Sequence, residues 1–159
     1  MVAGDHGFQD VDGFAEDDLY VAGGPGELWH LDGVTWRRLA LPTNETVRRV
    51  CCAHDGEVYV LAGSRQLLVG RRSDWRHLEP RAAEEAFESI VAYGDRVILS
   101  TQSALFEVAD GAISPAALGS MSTLRNCSFL AAGHGILLVA GAHSASSFDG
   151  TTWTEIFGP

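Results

Sequence analysis

The sequence predicts an all-β protein built from four copies of one four-stranded antiparallel unit. Three observations carry this: a 39-residue period marked by tryptophan, short runs of β-branched, aromatic and leucine residues separated by glycine and aspartate, and no segment of ten or more residues with helical periodicity. Trp36 and Trp75 lie 39 residues apart, and Trp75 and Trp153 twice that. The same step links Leu19, Val58, Val97 and Ile136, then Tyr20, Tyr59, Ile98 and Leu137, then Val21, Val60, Leu99 and Leu138, all apolar. The phrase "LDGVTWRRL" at 31–39 returns as "FDGTTWTEI" at 148–156, three periods later. Four units therefore fill about residues 3–41, 42–80, 81–119 and 120–158 of the 159-residue chain.

The second unit shows the elements in order. "VRRVCCAH" is a first strand, Asp55-Gly56 a turn, "EVYVLAG" a second strand, "RQLLVG" a third and "WRHLEP" a fourth. The second strand is apolar at consecutive positions instead of alternating, so both of its faces should be buried. An Asp-Gly pair recurs between third and fourth strands, at Asp32-Gly33, Asp110-Gly111 and Asp149-Gly150, and only the second unit departs, with Arg71-Arg72. Glycine there supplies the positive φ of a tight turn, and the aspartate carboxylate can accept from nearby backbone amides. The tryptophan that follows should pack against the adjoining unit; the third unit has Ser114 instead, which predicts the weakest outer strand. "RAAEEAFESI", 81–90, falls on the linker and first strand of the third unit, and "GGPG", 23–26, reads as a hairpin turn. A 39-residue unit of four strands has the size of a β-propeller blade, so the expectation is a single propeller domain or half-propeller.

The phrases "LDGVTW", "FDGTTW" and "DGEVYVLAG" resemble the blades of bacterial propeller proteins with loose DG-x-x-W and VYV-x-G repeats, and distantly the aspartate-box turns of sialidase-type propellers. An aspartate box has a residue between its aspartate and glycine, whereas here they are adjacent. The resemblance implies the fold and carries no catalytic residue with it. Bacterial propellers of this kind are also similar to proteins found beside polymorphic toxin and secretion genes, which implies an immunity or effector-binding role.

Function in a propeller resides at the channel mouth and in the loops of one face. Polar positions that differ between units at the start of the innermost strand are the candidates: Gln9, Arg48 and Asn126 in one register, Asp10, Arg49 and Glu88 in the next. They form either a binding constellation or a solvated ring of charge. Catalytic spacings are missing. His6, His30, His54, His77, His134 and His143 show no HxH or HExxH pattern, and His54 and His134 fall at turns. Glu84-Glu85 and Asp17-Asp18 read as turn charges that keep the surface soluble. Cys51, Cys52 and Cys127 are odd in number and lack CxxC spacing, so they read as buried apolar thiols. No metal and no cofactor is expected.

The net charge is −10, with no lysine, and nine of the eleven arginines lie between Arg37 and Arg81, a stretch that is net +4. Residues 1–36 carry eight acids and no lysine or arginine. So acidic a chain makes nucleic acid a poor partner, and no apolar run is long enough for a membrane helix. The start lacks the pattern of a secretion signal, giving a cytoplasmic expectation. The acidic first unit and basic second unit suit a protein partner of mixed charge or another copy of the chain. The favoured reading is a non-enzymatic interaction module; the alternative is a small-molecule or carbohydrate site at the channel mouth, either binding alone or hydrolytic. With no strand left over to latch a ring, an eight-bladed ring completed by a second copy is preferred to a four-bladed monomer.

Overall fold

In a computed structural model of the chain, residues 7–78, 84–120, 124 and 126–158 are described. They form sixteen strands in four antiparallel sheets, each a meander in chain order. The first sheet comprises β1 (Phe8–Ala15), β2 (Asp18–Gly23), β3 (Glu27–Leu31) and β4 (Trp36–Ala40); the second β5 (Val47–Cys52), β6 (Val58–Ala62), β7 (Gln66–Arg71) and β8 (Asp74–Leu78). The third has β9 (Ser89–Tyr93), β10 (Arg96–Ser100), β11 (Leu105–Ala109) and β12 (Ala112–Pro115); the fourth β13 (Phe129–Gly133), β14 (Ile136–Ala140), β15 (Ala145–Phe148) and β16 (Trp153–Phe157). By contact the chain divides into two compact units, Met1–Leu78 and Glu79–Pro159, each holding two sheets. Three of the residues of "RAAEEAFESI", 81–83, lie outside the described set; the rest contain no helix, and Ser89 begins β9.

The turns follow the predicted chemistry. Asp32 Oδ1 accepts from the backbone N–H groups of Val34 and Thr35, at 3.3 and 3.0 Å, and Asp149 Oδ1 from those of Thr151 and Thr152, at 2.8 and 2.7 Å. Gly33 and Gly150 sit at φ 85° and 100°, where a Cβ would crowd the backbone. These donors hold both carboxyls below their ordinary value, the Thr35 amide contributing most for Asp32 and the Thr152 amide for Asp149. "GGPG" is a hairpin: Gly23 pairs with Glu27 across Gly24, Pro25 and Gly26. The third sheet's outer strand, β12, is four residues long and ends in Pro115, where the other outer strands have five.

In the first unit, Tyr20, Ala22 and Leu28 of the first sheet pack on Val47, Val50, Val58, Val60, Ala62 and Leu68 of the second, all buried. Sealing a valine or leucine of this kind from water stabilises by about 1.5–3 kcal/mol. In the second unit, Ile98 and Leu105 of the third sheet meet Leu137, Val139 and Phe148 of the fourth. Trp75 packs on the first of these clusters and Trp153 on the second, as expected of outer-strand tryptophans. Trp36 differs: it opens β4 but the residue is 41% exposed.

The expectation of two buried faces holds for β6, every residue of which is buried, and for most of β10. It fails for β14, where Leu137 and Val139 are buried but Leu138 is 43% exposed. Here the 39-residue ruler also slips. The residues of β6 packed on the first sheet are Val58, Val60 and Ala62, yet those of β14 packed on the third are Leu137 and Val139, one place beyond the matching positions. A shift of one residue reverses the faces of a strand.

Candidate functional site

The innermost strands of the first unit bring together four of the six candidates. Gln9 is exposed on β1, and Asp10 follows it, half-buried. One Asp10 oxygen accepts from the Val11 N–H at 3.0 Å and the other reaches the second sheet, accepting from the Val50 N–H at 3.0 Å. Asp12 repeats the arrangement, with Oδ2 accepting from the Cys52 N–H at 2.7 Å. The two carboxylates thus bond the backbone of β5, and Asp12 was not singled out by the repeat. On β5, Arg48 Nε donates to the Gly63 carbonyl at 2.6 Å and Arg49 Nη1 to the Arg48 carbonyl at 2.9 Å. Asp10 and Arg49 form no ion pair with each other. In the second unit, Glu88 is half-buried with its N–H donating to the Ser100 carbonyl at 2.8 Å, and Asn126 Oδ1 accepts from the N–H and hydroxyl of Ser128.

A second cluster, across the first and second sheets, went unrecognised in the sequence. Asp18 begins β2, close to the turn, and its carboxylate is shared. Oδ1 bonds His30 Nε2 at 2.8 Å and Oδ2 accepts from Arg71 Nη2 at 2.5 Å. Partial burial pushes the Asp18 carboxyl up, but the hydrogen bonds and charges of His30 and Arg71 outweigh this and hold it below its ordinary value. Arg71 also donates to the Gly56 carbonyl at 3.1 Å and lies over the Phe14 ring, 4.4 Å from its centroid. His30 is 8% exposed and stacks on Tyr20 with ring centroids 4.4 Å apart. The Tyr20 hydroxyl is buried without a hydrogen bond of good geometry; burial raises its pKa while the neighbouring Arg71 guanidinium opposes the rise. The sequence signal for this cluster was the break in the Asp-Gly pattern at Arg71-Arg72.

The remaining titratable groups follow their surroundings. Burial raises the Cys52 thiol, and it pushes Cys127 up to about 11, so these thiols are inert at neutral pH. His54 and His134 are exposed in turns. Among the described residues no group of three or more histidine, cysteine, aspartate or glutamate side chains could hold a metal ion, and no helix is long and apolar enough to cross a membrane.

No protein-family model matches the chain. Over 150 residues it is 31% identical to the Immune protein Tsi7 of Pseudomonas aeruginosa, a match covering 94% of this chain and 49% of that protein. The chain therefore spans about half the length of the curated relative it matches. Among solved structures it superposes on virginiamycin B lyase from Staphylococcus aureus with a TM-score of 0.75 at 11% identity, over 98% of this chain and 57% of that one. It superposes on YCF48 from Cyanidioschyzon merolae with a TM-score of 0.69 at 14% identity, over 100% and 58%. These neighbours are propeller-like, and at such identity they establish the fold alone. The chain is an all-β protein of propeller-type four-stranded sheets.

Proposed function

We propose that the chain is a bacterial immunity module: a non-enzymatic, cytoplasmic propeller protein that binds and neutralises a protein toxin. The observation that carries this is the 31% identity to an immune protein across nearly the whole of this chain. It is supported by where the polar side chains spend their bonds. Asp10, Asp12 and Asp18 are committed to joining the first sheet to the second, which suits a rigid recognition surface. On this reading Gln9, Arg48 and Arg49 on the inner strands, and Glu88 and Asn126 just before them, are the positions that meet the partner. Co-expression with a toxin encoded beside the chain's gene tests it. Growth should be restored and a stoichiometric complex should survive size exclusion; toxicity undiminished at equal expression, with no complex, overturns the role.

Self-association is a second reading, favoured by the outer face of the first sheet. There Phe8 is 61% and Trp36 41% exposed, and with Val21 and Trp29 they line a cavity of about 170 Å³. The fourth sheet offers a matching apolar surface in Phe129 and Leu138, 60% and 43% exposed. A second copy could cover one with the other. Light scattering during size exclusion should then return twice the chain mass, and a monomer at micromolar concentration removes this reading.

A further inference from the structure

The break in the turn pattern places an arginine where the backbone suits glycine. In the first and fourth sheets the residue that follows the turn aspartate between third and fourth strands is Gly33 or Gly150, at φ 85° and 100°. The second sheet puts Arg72 there, at φ 58°. A side chain held in this left-handed region is strained unless something else favours it. Folding does not supply the reason through Arg72's own bonds: its guanidinium has no hydrogen bond or ion pair among the described residues. Instead it lines a cavity of about 340 Å³ whose other walls are His30, Asp32, Arg37 and Leu39. That volume lies within the range of ligand pockets.

The walls are held in place. His30 is fixed by the hydrogen bond between its Nε2 and Asp18 Oδ1, which accepts, and by stacking on Tyr20. Asp32 is fixed by the turn amides, and its other oxygen pairs with Arg37 at 3.2 Å. Arg71, the residue before Arg72, is bonded to Asp18 and to the Gly56 carbonyl, so the turn that presents Arg72 is anchored to the first sheet. Two guanidiniums against the single Asp32 carboxylate leave a charge of one positive unit, which suits a monoanion. A phosphate dianion would face Asp32 and an acidic surface in a chain of net charge −10. A planar carboxylate also matches the fork of an arginine with two parallel hydrogen bonds.

We propose that the cavity bounded by His30, Asp32, Arg37, Leu39 and Arg72 is a carboxylate-recognition pocket that takes an acidic side chain of the protein partner. The identity of the source rests on the toxin-binding reading; the chemistry of the pocket does not. Arg72→Gly restores the residue of the sister turns, so its melting temperature should equal or exceed that of the parent, and Arg37→Ala removes the second guanidinium without touching the strained position.

The test follows the arginine Nε signals by NMR during titration with a hexaglutamate peptide, glutarate and inorganic phosphate. A saturable shift at Arg72 and Arg37 with hexaglutamate, weakened about tenfold or more in either variant, supports the pocket. Glutarate binding tighter than the peptide would keep the carboxylate chemistry and assign a free metabolite as its source. Phosphate binding tighter than both, no saturable shift, or peptide binding unchanged in both variants overturns it. A toxin complex untouched by Arg72→Gly removes the pocket's role while leaving the immunity role standing; hexaglutamate binding without toxin rescue does the reverse.

Discussion

In the first unit the two sheets meet around charge: Asp10 and Asp12 bond the backbone of β5, and Asp18 gathers His30 and Arg71 from both sheets. In the second unit the corresponding junction is made of rings. Tyr93 and Phe148 lie 6.2 Å apart between centroids and Phe148 and Trp153 4.9 Å; the polar additions include the Ser89 hydroxyl accepting from the Leu130 N–H, the Tyr93 hydroxyl donating to the Gly135 carbonyl and the Trp153 indole N–H donating to the Leu118 carbonyl. No ion pair joins these two sheets among the described residues. One ladder position shows the divergence. Val58 pairs with Gly70 in the second sheet, but Leu137 pairs with Phe148 in the fourth. One repeat has thus been fastened to its neighbour in two ways, and only the first should respond to salt and acid.

The largest effect should come from Phe148→Ala, which empties the ring junction at a residue 4% exposed. A loss of about 4 kcal/mol is expected in urea denaturation, and added salt should not change it. Leu137→Ala should cost about 3 kcal/mol, since Leu137 is fully buried against the third sheet. If instead it proves neutral, the slipped register of β14 is wrong.

Arg71→Ala should destabilise by about 2 kcal/mol, combining lost hydrogen bonds to a charged group with the lost contact over Phe14. Unlike Phe148→Ala, its cost should shrink as ionic strength rises. A salt-independent loss would mean that Arg71 acts by packing.

Acid sharpens the same contrast. Asp18 has a lowered folded pKa, so its stabilisation is complete above the ordinary carboxylate value of 3.8 and is lost as pH falls through the lower folded value. Asp18→Asn should therefore differ from the parent by about 1 kcal/mol at pH 6, after solvent screening, and the two should converge in strong acid. Curves that stay parallel across the whole range would assign Asp18 no ionic role. Smallest of all, Leu138→Ala should cost less than about 0.5 kcal/mol, although the 39-residue ruler equates it with the buried Val60.

How far the sequence could be read depended on the range of each interaction. The Asp32 and Asp149 turns were legible because their donors lie two or three residues away, so composition alone encodes them. The four meanders were legible for the same reason. The face presented by β14 was not, because "ILLVA" is apolar at every position and carries no alternation from which a phase could be taken. Asp18 read as a solvated turn charge because its partners stand 12 and 53 residues off, and nothing local announces them. Asp10 was singled out for a binding role, yet one of its oxygens holds the Val50 amide 40 residues away.

That last bond has a consequence for how the chain behaves before it is folded. β5, the innermost strand, is one edge of its sheet, and the amides of Val50 and Cys52 would be open donors to any extended polypeptide that drifted past. Asp10 and Asp12 occupy both. The carboxylates act as stoppers against strand recruitment, and because they arrive from another sheet, the stretch "VRRVCC" stays adhesive until that sheet has formed. In the second unit the bond at Leu130 is made by the single hydroxyl of Ser89, so the two halves of the folded chain have differently guarded margins.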